Sequence, residues 1–143
     1  MSATRNGRRA REGGQALVEF SLAIMVFIVM LVGLFDLGRG VYTYNGVSEA
    51  AREIARVTAV HPGVVLGASN EALDRIAVQR RLVPDMGTPT FECVTVDGSA
   101  SPNVPCASDD YVRVTVTATY RPLSLLGLGG PITLSASSSI RLP

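Results

Sequence analysis

The stretch from Ala16 to Phe35 constrains the fold most, because Glu19 is its only charged residue and almost every other residue is apolar. As an α-helix rising about 1.5 Å per residue, it would span about 30 Å, the thickness of the hydrocarbon core of a bilayer. A carboxylate inside a bilayer is expensive, so such a residue is by default functional or paired with a partner. The other interpretation places Glu19 near the membrane face, where it reaches the interface or is protonated.

The residues before this stretch are basic and predict its orientation. They carry four arginines and a single acid, Glu12, although the net charge of the 143-residue chain is only +1. Basic residues on one side of a membrane helix place that side in the cytoplasm, so the C-terminal part is expected outside the cytoplasm. The polar composition of residues 1 to 13 predicts disorder. The near-neutral net charge gives no argument for nucleic-acid binding.

A cleaved secretory signal is the first competing interpretation of the apolar stretch. The apolar core of such a signal is usually about 7–15 residues long and is followed by a small-x-small cleavage site. Here the stretch is longer, and Asp36 to Gly40 offers no clear site of that kind. We therefore expect the helix to be retained.

Beyond Arg39 the pattern changes to an amphipathic helix. Apolar residues recur at steps of three and four, which places them on one face: Val41, Tyr44, Val47, Ala51, Ile54, Ala55 and Thr58. His61-Pro62-Gly63 ends this helix, since the residue before a proline avoids the α region. The glycines around Gly38 and Gly40 leave open whether the two halves form one helix, a kinked helix or two helices.

The C-terminal part predicts a small α+β domain. A short helix capped by Ser69 or Asn70 precedes three strands, Thr90 to Val96, Tyr111 to Tyr120 and Ile132 to Ile140. Leu123 to Gly130 reads as an apolar, glycine-rich connection between the last two strands. We expect an antiparallel sheet whose apolar face is covered by the stripe from Val41 to Thr58.

Cys93 and Cys106 both lie in the part expected outside the cytoplasm. An oxidising compartment permits a disulfide between them, which would stabilise the domain by about 3 kcal/mol in the chain-entropy model. The alternative is two free thiols. Two cysteines and the isolated His61 do not make a metal-ligand set, so no metal is expected.

The sequence contains no recognisable catalytic motif. It has one histidine, in the His61-Pro62-Gly63 loop, and lacks a P-loop, a nucleophile elbow and a dinucleotide-binding fingerprint. Asp109-Asp110 is interpreted as a solvated loop rather than a cation site. We therefore expect a structural or interaction protein, with no enzymatic activity, cofactor or small-molecule substrate.

The N-terminal sequence resembles the class III leader peptides of type IV pilins. In that family a short basic leader ends in Gly, cleavage follows it, and Glu stands at the fifth mature position; here these are Gly14, the Gly14–Gln15 bond and Glu19. Phe20 follows directly, as in the Flp/Tad branch. Together with the later segment Ala50 to Arg56, this resembles the TadE-like family, minor pilins or pseudopilins of tight-adherence type IVb pili. The resemblance covers about residues 13 to 60, and the β-rich tail agrees only loosely.

The resemblance implies a division of the chain and a set of partners. Residues 1–14 would be the leader, 15–37 the transmembrane and assembly helix, 38–60 its amphipathic continuation and 61–143 an extracytoplasmic α+β domain of a pilin-like fold. The expected partners are the cytoplasmic membrane, a prepilin peptidase, other pilins and Tad assembly proteins. Glu19 would pair with the new amine of Gln15 on a neighbouring subunit.

Two alternatives to this interpretation stay open. The chain is also compatible with an uncleaved single-pass membrane protein whose external domain binds a partner. A pseudopilin of type II secretion is a nearer competitor, although that branch typically has Phe where this chain has Gln15. The sequence does not decide between a filament subunit and an assembly factor that stays in the membrane.

Overall fold

The computed structural model describes residues 5–102, 106–123 and 130–143, with side chains from residue 14 onward. Two helices, α1 (Arg5–Val60) and α2 (Asn70–Leu82), precede three strands, β1 (Thr90–Val94), β2 (Tyr111–Tyr120) and β3 (Ile132–Arg141). Residues 1–4 of the expected leader and 124–129 of the expected connection lie outside the described residues. The α+β class and the long N-terminal helix on a small antiparallel sheet are confirmed.

Helix α1 is continuous through Gly38 and Gly40. Of the possibilities that the sequence leaves open, the structure therefore shows a single helix. Its 56 residues correspond to about 84 Å at about 1.5 Å per residue. It ends at Val60, two residues before Pro62, as expected. The expectation of disorder before the apolar stretch is wrong from Arg5 onward. Extending a helix requires no new nucleation, and arginine is a good helix former.

The sheet is a meander in the order β1-β2-β3, with both pairs antiparallel. Strand β2 pairs with β3 over its whole length, from Tyr111 opposite Arg141 to Tyr120 opposite Ile132. Alternate residues of β2 are buried, so the face predicted from the alternation is the face that meets the core. The buried members of that face are Val112, Val114, Val116 and Ala118.

The core lies between this sheet face and the second half of α1. Val47, Ala51 and Ile54 are essentially inaccessible to solvent. The predicted stripe is therefore buried in its C-terminal part, whereas Val41 and Tyr44 at its N-terminal end are 52% and 50% exposed. Val41 and Tyr44 line an open groove between α1 and the paired ends of β2 and β3, which is why the stripe extends further in the sequence than the buried core does in the structure.

Gly46 allows α1 to approach the segment after α2 closely. A Cβ at this position would lie 3.2 Å from Cγ2 of Val83, tighter than ordinary contact. The glycine costs about 1 kcal/mol of helix propensity relative to alanine. Its absent side chain is what makes room for Val83, which is buried in the core.

Helix α2 is capped by Ser69, one of the two expected caps, and buries one of its faces. The Ser69 hydroxyl accepts a hydrogen bond from the Ala72 backbone N–H. Ala72, Ile76 and Gln79 are buried, while Leu73, one of the apolar residues of the predicted helix, is 52% exposed.

An ion-pair network joins α2 to α1. Glu53 lies 2.9 Å from Arg56 on the same helix and 3.4 Å from Arg75 of α2. The hydrogen bond from Arg56 lowers the pKa of Glu53, and the charges of Arg56 and Arg75 act in the same direction. The sequence pairs Glu53 with Arg56 through their helical spacing, but the contribution of Arg75 depends on the tertiary fold.

Cys93 and Cys106 form a disulfide in the structure, with their Cα atoms 5.4 Å apart. Cys93 lies on β1 and is buried, and Cys106 precedes β2. The bond therefore closes the loop between the first two strands. The Ser101 N–H donates to the Cys93 carbonyl oxygen within this loop, so the loop also pairs with β1.

Candidate functional site

Glu19 lies on the first half of α1 with its side chain exposed. Its Oε1 accepts a hydrogen bond of 3.0 Å from Nε2 of Gln15, one helical turn earlier. The i, i+4 spacing of the two residues places them on the same face of the helix. The carboxylate thus has a neutral partner within its own chain, which satisfies one oxygen but does not compensate its charge.

The Gly14–Gln15 peptide bond lies within α1, and its surroundings are open. A Cβ added at Gly14 would meet no atom within 4 Å other than its own helix neighbours. Phe20, directly after Glu19, is 64% exposed. The four residues singled out in the sequence therefore lie on consecutive turns of a helix that no other described part of the chain covers.

The helix surface around Glu19 is almost entirely apolar and exposed. The exposed large apolar residues between Leu17 and Leu37 form this surface, and Leu22, Ile24, Val26 and Ile28 are among them. Within the described part of the chain, one helix has the length and composition to cross a membrane, and its most apolar stretch is not buried at all. Such a surface requires either lipid or other protein chains around it.

A polar junction joins this helix to the folded domain at Asp36, and sequence reasoning missed it. The Tyr120 hydroxyl donates to the Asp36 backbone oxygen at 2.7 Å and to its Oδ1 at 2.5 Å. The backbone N–H of Leu123 donates to the same Oδ1 at 3.0 Å. The side chain of Asp36 therefore holds the end of β2 against α1, one residue after the apolar stretch ends.

Arg39 completes this junction. Its guanidinium carbon lies 5.9 Å from the centre of the Tyr120 ring, and its Nη1 is 3.8 Å from Asp36 Oδ1. The hydrogen bond to Asp36 raises the pKa of Tyr120. A Cβ at Gly40 would lie 3.7 Å from the same ring, so the ring packs against the helix there. The alternation of β2 places Tyr120 on the inward face, but nothing in the sequence pairs it with Asp36.

A groove lined by charged side chains, of about 440 Å³, lies between the C-terminal end of α1 and α2. It is lined by Arg56, His61, Glu71, Asp74 and Arg75 together with three valines. Among the described residues, no group of three or more His, Cys, Asp or Glu side chains is placed to hold a metal ion.

Comparison with known proteins adds one match. The model of the family described as TadE-like protein matches residues 14–56, the segment from the Gly14 site through the buried part of α1. This agrees with the resemblance seen in the sequence and supports a protein associated with the Tad pilus. No curated protein and no solved structure matches the chain.

Proposed function

We propose that this Tad-pilus-associated chain, similar to TadE-like proteins over residues 14–56, is a minor pilin or pseudopilin that acts in assembly of the pilus. The first half of α1 holds it in the cytoplasmic membrane, with the N-terminus in the cytoplasm and the α+β domain outside. The observation that carries the proposal is the Gly14 to Glu19 spacing at the start of an exposed apolar helix that continues into a folded domain.

Processing by a prepilin peptidase after Gly14 is the first step of this function. The absence of a side chain at Gly14 and the open space around it favour close approach of an enzyme to the Gly14–Gln15 bond. The arginines before it keep the leader on the cytoplasmic side of the membrane until then. Cleavage removes these charges and leaves a chain that begins with Gln15.

Pairing of Glu19 with the new amine of Gln15 on a neighbouring subunit is the second step. The side-chain amide of Gln15 already reaches Glu19 within the same chain, at 3.0 Å. A neutral amide leaves the negative charge uncompensated, and a single buried charge is expensive in a low-dielectric environment, whereas a pair of opposite charges compensate each other. The ion pair would therefore set the axial register between subunits.

Apolar packing supplies the association energy that the ion pair does not. The exposed residues between Leu17 and Leu37 form a helix surface that can pack against equivalent helices. In a membrane, helix association depends on van der Waals packing and on polar contacts, since lipid tails are as apolar as leucine. Glu19 would then set the axial register between subunits, and the surrounding apolar residues would provide the packing surface.

Substitution of Glu19 tests this function. We expect Glu19→Ala to reduce incorporation into sheared filaments, or assembly of filaments, at least tenfold, in line with the cost of an unpaired buried charge. Glu19→Gln should reduce assembly in the same way. Although its side chain still forms hydrogen bonds, it lacks the charge on which the proposed ion pair depends. The readout is immunoblotting of filament and membrane fractions.

Glu49→Ala provides the matched control, since Glu49 is an exposed glutamate on the folded half of the same helix. It should assemble normally. Normal assembly of both Glu19 variants would contradict the proposal and favour an uncleaved single-pass protein whose external domain binds a partner. Crosslinking from a cysteine placed in the external domain, tested on purified filaments, separates a filament subunit from a membrane-resident assembly factor.

A further inference from the structure

The C-terminal end of β2, with the N-terminal end of β3 paired beside it, lies at the level where the apolar stretch of α1 ends. The bonds from Tyr120 and Leu123 to Asp36 fix this end against the residue that directly follows Phe35. One residue of helix corresponds to a rise of about 1.5 Å, so the hairpin end and the end of the stretch lie at nearly the same height along α1.

The surface at this level is apolar and open. A groove of about 500 Å³ runs between α1 and the hairpin, lined chiefly by apolar side chains such as Leu37, Val41, Pro122 and Leu134. Leu37 is 66% exposed, and Ile132, at the start of β3, is 51% exposed. Through Leu37 and Val41, the apolar surface of the first half of α1 therefore continues onto the domain beside the polar contacts of Asp36.

The polar groups at this level are of the kind found at membrane interfaces. Tyr44 is exposed on α1 and lines the groove, and Tyr120 lies in its wall with its hydroxyl bonded to Asp36. Arg39 is half exposed and extends over the Tyr120 ring. Tyrosines are enriched at the headgroup level, and arginines place their apolar stems along apolar surface while the charge stays in water.

We propose that this surface, formed by Leu37, Val41, Tyr44, Leu123 and Ile132, lies in the interface of the lipid bilayer and orients the domain on the membrane. The occupant of the groove is lipid from the leaflet at which α1 emerges on the domain side. Continuity with the apolar helix favours lipid, because the same surface that requires lipid below Phe35 extends past it through Leu37 and Val41 into the groove. The proposal rests on α1 spanning the membrane and not on processing or pilus assembly.

Spin-label accessibility tests this placement in the full-length chain reconstituted in vesicles of phosphatidylcholine and phosphatidylglycerol. A nitroxide is attached to a cysteine introduced at Ile132 or at Leu123, while the native cysteines stay in their disulfide. Accessibility to oxygen, which concentrates in the bilayer, is compared with accessibility to a water-soluble nickel chelate. Val64, which is 88% exposed and follows the far end of α1, serves as the matched aliphatic control, and Val26 marks the span.

The labels at Ile132 and Leu123 should show an oxygen-to-nickel accessibility ratio several-fold above that at Val64 and below that at Val26. Ratios equal to that at Val64, with a high ratio at Val26, would overturn the interfacial placement while leaving the span intact. A low ratio at Val26 as well would overturn the span on which the proposal rests. Poor access of both reagents to Ile132 and Leu123 would show that protein fills the groove, which also overturns it.

Discussion

The two halves of α1 are continuous in backbone but opposite in their surroundings. From Leu17 to Leu37 the accessible apolar side chains have no partner in the described chain, whereas Val47 and Ile54 are completely buried against the sheet. The second half takes its stability from contacts within the chain. The first half requires lipid or neighbouring subunits. One helix thus joins a self-contained domain to a surface that needs lipid or another chain to cover it.

The boundary between the halves is marked by Asp36 and Tyr120 rather than by a break in the helix. Glycines at this boundary do not interrupt α1. The Tyr120 ring packs beside Gly40, and its hydroxyl binds Asp36. The folded domain therefore begins where the apolar stretch ends, and one continuous helix joins the two halves.

Alanine substitutions in the two halves should give the largest contrast. Ile54→Ala removes a fully buried side chain and should lower the free energy of unfolding of the domain by about 2–5 kcal/mol. Leu22→Ala, in the exposed half, should leave this free energy unchanged. Denaturant unfolding of the chain in detergent measures both. Equal losses from the two variants would contradict the separation of the helix into two environments.

Reduction of the disulfide should have the next largest effect, confined to the domain. The Cys93–Cys106 bond closes a loop with a sequence separation of 13, for which the chain-entropy model gives about 3 kcal/mol. We expect reductant to lower the thermal unfolding midpoint of the domain without changing the helical signal of the exposed first half of α1. Near-ultraviolet circular dichroism follows the unfolding of the domain, and far-ultraviolet circular dichroism follows the helical signal. An unchanged midpoint would show that the bond does not stabilise the fold.

Removal of the Tyr120 hydroxyl should give a smaller effect at the boundary. Tyr120→Phe keeps the ring packing beside Gly40 but deletes the bonds to Asp36. Hydrogen exchange of the Leu123 amide, which donates to the same carboxylate, should accelerate. Tyr42→Phe is the matched control, since the Tyr42 side chain is 67% exposed, and it should leave this exchange unchanged. Equal exchange in both variants would show that Asp36 and Tyr120 do not hold the hairpin end.

Acidification should give the smallest effect, through Glu53. The hydrogen bond from Arg56 lowers the folded pKa of Glu53 below its ordinary value of 4.5, so the ionised form stabilises the fold. This contribution is fully present above pH 4.5 and is lost as the pH falls through the lower folded value. The stability difference between the native chain and Glu53→Gln should therefore shrink on acidification. A difference that stays constant with pH would contradict a role for the Glu53 charge.

The elements were predictable wherever a local pattern decides them. The alternation along β2 identifies the buried face, and His61-Pro62-Gly63 identifies the end of α1, because both depend on near neighbours in the chain. The exposure of Val41 and Tyr44 was not predictable, since it depends on the open groove that the tertiary fold leaves between α1 and the paired ends of β2 and β3. The buried face of α2 likewise depends on where the short helix docks.

The candidate site divides in the same way. The spacing of Gly14, Gln15 and Glu19 is a local pattern, and it led directly to the residues that the structure places on one exposed helix. The contact between Asp36 and Tyr120 joins residues 84 positions apart, so no local pattern announces it. The proposed partner of Glu19, the amine of Gln15 on a neighbouring subunit, involves two chains, so the structure of one chain does not test it.

Intact-mass analysis of the protein from its native membrane tests the central claim most directly. A chain processed after Gly14 begins at Gln15 and lacks the mass of residues 1–14, with a further loss of ammonia if the new N-terminal glutamine has cyclised. Cyclisation would remove the amine charge and with it the proposed partner of Glu19. The account predicts the processed mass with a free amine. A protein that keeps residues 1–14 in a strain with active prepilin peptidase would contradict it.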